Sequence, residues 1–305
     1  MVITRSGKRA AAVAFAVSCA LATPVQAACL GMQVQAHRGS ASAPENSISG
    51  LGAGYQGSWD GVETDMQQLA DGTWVVHHDL VTGRTVQASR NVSTHQLTSQ
   101  DWQAARLKVN GRTVEEAPPF VSDLLTLASR FPGKTLNAEI KDALPNCNPV
   151  QALVAQFRRG MSHGNWFMTS AVPGNLRCAR QADREGYLGL IVFDVRNAEA
   201  AVDNRASRFV ASRARAPKLD QNWLMRVQNE IGMPVGVHVD ARSLDANPTL
   251  LSDASMMKMP VFVYAVQGDT ALAAAVRRAH DRTARWPSGV VIDGDADQFC
   301  RDVSR

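Results

Sequence analysis

The sequence contains no run approaching the ~20 apolar residues that a membrane-spanning helix requires. That excludes a chain threaded through a bilayer by helices. It shows no repeat period, heptad run or low-complexity block, which excludes solenoids, coiled coils and compositional linkers. No Gly-x-Gly-x-x-Gly or Walker loop directly follows a strand-like run, so an open doubly wound nucleotide-binding sheet lacks its usual phosphate cradle. A surplus of one charge sign is also missing. Lys plus Arg number 32 against 28 Asp plus Glu, a net of +4. Three of those cations, Arg5, Lys8 and Arg9, fall in the first 27 residues, where no acid occurs, and the remainder carries +1. So small a balance gives no broad field for nucleic acid or for an anionic membrane.

What is present fits an ordinary globular chain. The 305 residues are 45% hydrophobic and 20% charged, which excludes a disordered protein. The length suits two average domains or one large α/β barrel. The basic start, the uncharged run Ala10 to Ala22 and the small residues of Val25-Gln26-Ala27 predict a secretory signal over residues 1–27, cleaved after Ala27. The mature chain is then exported, periplasmic or secreted. Cys19 leaves with the signal, and Cys29, Cys147, Cys178 and Cys300 remain in an oxidising compartment.

Short β-rich runs alternate with helical patterns. Strands are expected at Gln33 to Ala36, Gly61 to Met66 with Trp74 to His77, Thr135 to Ile140 and Trp166 to Thr169, and then at Leu188 to Phe193, Pro234 to Val239, Pro260 to Val266 and Gly289 to Ile292. Helices are expected at Val121 to Arg130, Pro149 to Arg159, Gly174 to Glu185, Trp223 to Ile231 and Thr270 to Thr283. Eight strands with helices between them predict a TIM (β/α)8 barrel. We read one domain over 28–305 with a small insertion after strand 2, at about 80–119, where a helix opens at Thr98. A closed barrel brings its first and last strands together, so Cys29 is expected to pair with Cys300. Cys147 and Cys178 follow the adjacent strands three and four and form the second expected pair.

In such a barrel, catalytic groups stand at the C-terminal ends of the strands. Four polar clusters lie there: His37-Arg38-Gly39 with Pro44-Glu45-Asn46-Ser47; Glu63-Thr64-Asp65 with Val75-Val76-His77-His78-Asp79; Glu139-Ile140-Lys141; and Ile292-Asp293-Gly294-Asp295. Side chains alternate along a strand, so Glu63 and Asp65 share one face, as do Glu139 and Lys141. Three carboxylates meeting inside a barrel do not all stay ionised without a cation. An all-oxygen ligand set of that kind suits one divalent cation, Ca2+ or Mg2+, better than zinc. Arg38 and Lys141 supply donors for an anionic oxygen, and His37 and His78 titrate where acid–base work is done. His77 and His78 point to opposite faces of an extended strand, which leaves one of them structural. Together these groups compose a phosphodiester hydrolase; none alone carries that reading.

The same residues resemble the glycerophosphodiester phosphodiesterase family, densely from His37 to Lys141 and thinly afterwards. The resemblance implies a TIM barrel with an insertion after the second strand, hydrolysing a small glycerophosphodiester to sn-glycerol 3-phosphate and an alcohol. It implies His37 and His78 as the catalytic histidines, Glu63, Asp65 and Glu139 as metal ligands, and Arg38 and Lys141 as phosphate contacts. Tyr264-Ala265-Val266-Gln267 and Ile292-Asp293-Gly294-Asp295 depart from the family's usual seventh and eighth strands, which bears on the headgroup. A sphingomyelinase D type of phospholipase shares the barrel but needs an apolar rim on its mouth loops. The insertion here reads as polar, with Arg84, Gln87, Arg90, Gln96 and Gln100, which favours a water-soluble diester. A secreted binding module that has lost turnover is the remaining alternative, and no histidine or ligand of the set is missing.

Overall fold

The computed structural model describes residues 29–197, 209 and 211–305. The predicted signal over 1–27 lies outside them. The chain runs β1 (Gln33–Ala36), α1 (Ile48–Gln56), β2 (Gly61–Gln68), β3 (Trp74–Val76), β4 (Val86–Gln87), α2 (Ser99–Ala104), β5 (Arg106–Val109) and β6 (Arg112–Thr113). There follow α3 (Val121–Ala128), β7 (Thr135–Ile140), α4 (Asn148–Gly160), β8 (Trp166–Ser170), α5 (Pro173–Ala182), β9 (Leu188–Val192), α6 (Gln221–Ile231) and β10 (Val235–Asp240). The last elements are α7 (Ala241–Ala246), α8 (Leu250–Met256), β11 (Val261–Tyr264), α9 (Asp269–Thr283), β12 (Gly289–Ile292) and α10 (Ala296–Val303).

Eight strands, β1, β2 and β7 to β12, pair in parallel and close where β1 meets both β12 and β2, Ala36 lying opposite Ile292 and Val62. This is the expected TIM barrel. The helices pack outside through apolar stripes. On α4, Val150, Leu153, Val154 and Phe157 recur at three- and four-residue steps and are buried, while Arg158 and Arg159 lie in its last turn, where cations suit the carbonyl end of the dipole. No helix among the described residues is long and apolar enough to cross a membrane.

Two departures from the expected elements have physical causes. Strand β2 runs two residues past Met66 because β3 folds back antiparallel on Met66, Gln67 and Gln68 and extends the ladder. Helix α1, of sequence Ile-Ser-Gly-Leu-Gly-Ala-Gly-Tyr-Gln, is absent from the helical patterns read above, since three glycines obscure its period. Those glycines let it lie close to the barrel: a Cβ on Gly54 would stand 2.7 Å from Val62, and one on Gly50 2.7 Å from the Pro44 carbonyl. The close approach fixes the β1–α1 loop against the barrel mouth.

The segment 80–119 holds the three-stranded sheet β4-β5-β6 and helix α2, whose capping box joins Thr98 and Asp101. It has its own apolar cluster, with Trp102, Leu97 and Leu107 buried together. Its exposed surface is less polar than its composition implies: Leu80, Val81 and Val109 face solvent. Leu80 and Val81 are adjacent and Val109 stands apart, so no extended apolar run announces them. Cys29 bonds to Cys300 and Cys147 to Cys178, both expected pairs, with Cα atoms 5.1 and 4.9 Å apart.

Candidate active site

Strand alternation delivers the acids. Glu63 and Asp65 point inward from β2, and β7 lies beside it in a register that sets Glu139 opposite Asp65. One oxygen from each of the three carboxylates lies within 4.8 Å of the others. Asp65 is the most heavily supported: its Oδ2 accepts from Asn46 Nδ2 at 2.8 Å and lies 3.3 Å from Arg38 Nε, while its Oδ1 lies 3.3 Å from Lys141 Nζ. Asn46 is held in turn by the Thr64 hydroxyl, which donates to its Oδ1 at 2.7 Å. Burial pushes the Asp65 carboxyl up, but Lys141 and Arg38 outweigh it and hold it well below the usual carboxylate range. Glu63 and Glu139 are pushed above their ordinary value by burial and by the Asp65 charge beside them. The cluster therefore holds more carboxylate than its two neighbouring cations neutralise, a donor set that fits a bound cation.

The two histidines reach this cluster from different directions, each with a carboxylate behind it. His37 follows β1, its N–H donating to the Ile292 carbonyl at 2.8 Å. Its Nδ1 donates to Asp293 Oδ1 at 2.6 Å, and its Nε2 lies 3.9 Å from Glu63 Oε2. Burial pulls the imidazole down, yet Asp293 and Glu63 together raise it above its ordinary value. Arg38 takes a left-handed backbone conformation, φ 54°, and its N–H donates to Glu63 Oε2 at 3.2 Å. His78 donates from Nδ1 to Asp79 Oδ1 at 2.8 Å, and its Nε2 has no hydrogen-bond partner among the described residues. His77 turns the other way. It is buried in the insertion against Trp102, within 3.2 Å of the Thr94 hydroxyl, and burial pushes it down to about 4.

His37, Arg38, Glu63, Asp65, His78, Glu139 and Lys141 all line one cavity of 410 Å³. Its opposite wall is apolar, built from Ile191, Phe193, Val266 and Val291, with Tyr264 donating from its hydroxyl to the Val192 carbonyl. A second, more polar depression shares His37 and Arg38 and extends under the tip between β5 and β6.

A family model described as the glycerophosphoryl diester phosphodiesterase family matches residues 37–286. The chain belongs to the glycerophosphoryl diester phosphodiesterase family. The family's members are hydrolases of glycerophosphodiesters, and the chain is accordingly a phosphoric diester hydrolase. Solved structures share its fold at low identity. An Oleispira antarctica phosphodiesterase in complex with the product sn-glycerol-3-phosphate superposes with a TM-score of 0.69 at 18% identity, over 90% of this chain and 97% of that one. A glycerophosphodiester phosphodiesterase from Parabacteroides distasonis gives 0.67 at 16% identity over 90% and 99%. A Silicibacter pomeroyi protein described as a glycerophosphoryl diester phosphodiesterase gives 0.67 at 17% over 90% and 93%.

Some partnerships within the site escape the motifs. Asp293 stands in one of the sequence clusters but reads there as a departure from the family's eighth strand; its bond to His37 spans 256 positions. Arg84 reads as a polar residue of the insertion and, within Gly83-Arg84-Thr85, as an echo of the Arg-Thr that trails the family's His-Asp, but its pairing with Glu45 from 39 positions away is not signalled. Neither partnership has a local signal.

Proposed function

We propose that the chain hydrolyses a water-soluble glycerophosphodiester to sn-glycerol 3-phosphate and an alcohol, using one divalent cation, Ca2+ or Mg2+, and two histidines. The observation that carries the reading is the meeting, in one cavity, of an oxygen-only acidic trio with two histidines that are each backed by a carboxylate. Glu63, Asp65 and Glu139 would hold the cation, which when bound supplies positive charge to the phosphate's non-bridging oxygens. Arg38 and Lys141 bind the same phosphate and add fixed positive charge as charge builds in the transition state.

The carboxylates of Asp293 and Asp79 fix the tautomers of His37 and His78, so that each presents Nε2 for proton transfer. One histidine takes the proton of the attacking hydroxyl as its oxygen bonds to phosphorus. The other gives a proton to the alcohol oxygen as the second phosphorus–oxygen bond breaks. One water is consumed overall: it attacks phosphorus directly, or it opens the cyclic phosphate formed when a substrate hydroxyl attacks, and the proton taken up by one histidine matches the proton given by the other. The product complex recorded for the Oleispira antarctica protein supports this choice of substrate.

A lipid-borne diester is the second reading, favoured by the exposed Phe193 on the cavity's apolar wall and by Leu80, Val81 and Val109 on the insertion. The two disulfides support export with removal of residues 1–27, leaving 28–305 as one barrel domain whose insertion spans about 80–119. The test is 31P NMR of glycerophosphocholine with the protein, with and without chelator, in Ca2+ or Mg2+. Release of sn-glycerol 3-phosphate that stops on chelation is expected. Release that persists after exhaustive chelation contradicts the metal, and cleavage of lysophosphatidylcholine alone transfers the case to the second reading.

A further inference from the structure

The barrel mouth carries a second group with the spacing of a metal site. Glu45, His78 and Asp79 each bring one ligand atom within 4.8 Å of the others. Its central position is filled by a side chain. Arg84 donates from Nη1 and Nη2 to the two oxygens of Glu45 at 2.9 and 2.6 Å, and from Nε and Nη2 to the two oxygens of Asp79 at 2.7 and 2.8 Å. One planar guanidinium thus grips two carboxylates, each in the two-pronged manner that an ammonium lacks the geometry to reproduce.

The loop that delivers Arg84 is held in advance. Gly83 sits at φ 127°, its N–H donating to the Val86 carbonyl at 2.8 Å and its own carbonyl accepting from Lys108 Nζ at 2.5 Å. Beyond the clamp the charges continue in both directions. Glu45 Oε1 also accepts from Arg38 Nη1 at 3.3 Å, and Asp79 Oδ1 accepts from His78 Nδ1 at 2.8 Å. Arg38, Glu45, Arg84, Asp79 and His78 form one unbroken chain of alternating partners. Its two ends are residues given to the phosphate and to proton transfer above.

An exposed ion pair contributes little to stability, and Arg84 is half exposed, so stability alone is a weak account of a four-bond clamp. We propose that Arg84 is a positioning residue for the hydrolysis: its guanidinium occupies the second acidic group as a built-in cation, in place of a second metal ion. Through Asp79 it fixes the tautomer and direction of His78, and through Glu45 it fixes Arg38. The inference rests on the roles given to His78 and Arg38 above, and it gives the insertion a direct contact with the mouth of the barrel through Arg84 and Glu45.

The test counts ions and turnover together on the full chain. Mn2+ bound per chain is measured by electron paramagnetic resonance for wild type, Arg84→Ala and Arg84→Lys, with folding checked by circular dichroism. One Mn2+ is expected in wild type, and a second, weaker one in Arg84→Ala, where the emptied acids accept it. Both variants should lose about 10- to 100-fold in kcat on glycerophosphocholine, the range typical of residues that orient a site's first contacts. Lysine should not restore it, whereas added guanidinium should partly rescue Arg84→Ala. Two Mn2+ of equal affinity in wild type would overturn the proposal, as would an Arg84→Ala protein with kcat within about twofold of wild type. If Arg84→Ala does not fold, Arg84→Gln and the wild-type ion count carry the same test. A wild type that turns over no glycerophosphodiester defeats the functional reading instead, and the ion count still judges the clamp.

Discussion

Asp293 Oδ1 accepts a hydrogen bond from His37 Nδ1 at 2.6 Å, joining the ends of the first and last barrel strands across the closure. Asp269, at the start of α9, holds Asp293 in place by accepting from the backbone N–H groups of Asp293 and Gly294 at 3.1 and 2.7 Å. A carboxylate that fixes a catalytic imidazole's tautomer and raises its basicity has a kinetic signature. Asp293→Asn should lower kcat by about 10- to 100-fold with the fold intact. The limb of the pH–rate profile belonging to His37 should move to lower pH, because a partner that raises its pKa has been removed. An unchanged profile would reduce Asp293 to a structural role.

Acid should destabilise the protein through two histidines outside the proposed proton-transfer pair. Burial depresses His77 to about 4 and His238 to about 3, so the folded chain resists protons that the unfolded chain takes up below its ordinary histidine value. The stability they contribute is complete above about pH 6.5 and declines as pH falls toward 4 for His77 and 3 for His238. Each contributes a slope of at most about 1.4 kcal/mol per pH unit in its window. Urea midpoints measured from pH 7.5 to 4.5 should fall, and His77→Gln should flatten the curve. A midpoint that rises on acidification contradicts the assignment.

The Cys29–Cys300 bond ties the residue ahead of β1 to α10 over a sequence separation of 271. Loss of a crosslink closing so long a loop should cost about 2–5 kcal/mol. Cys29→Ser with Cys300→Ser should unfold at lower urea while keeping the barrel's circular dichroism. An unchanged midpoint would show that the strand closure needs no covalent support.

The barrel and the polar groups that meet in its cavity are legible in the sequence for a shared reason. Strands of a parallel barrel are short and apolar, so the polar residues that interrupt them, such as Glu63, Asp65, Glu139 and Lys141, stand out, and period-two alternation assigns their faces. The same alternation separates His77 from His78. The Cys29–Cys300 pair follows from closure, and the Cys147–Cys178 pair from the adjacency of the third and fourth barrel strands. What alternation does not encode is who holds each group. Asp293 and His37 meet only when the barrel closes, and Arg84 meets Glu45 only when the insertion docks. The glycines of α1 hide its period because they serve close packing on β2. The exposed apolar residues are a Leu80-Val81 pair and a separate Val109, too short to read as an apolar run, so composition conceals their exposure.

The central claim is that His78, not its neighbour, moves a proton at a site shared with His37 and the acidic trio. The most direct measurement is kcat on glycerophosphocholine at saturating metal for His78→Ala beside His77→Ala, with both folds checked by circular dichroism. Loss of a proton-transfer group costs about 10² to 10⁴ in rate, and His78→Ala should fall at least that far. His77→Ala should remain within about tenfold of wild type, its loss appearing as a lower melting temperature. A dead His77→Ala beside an active His78→Ala would contradict the account.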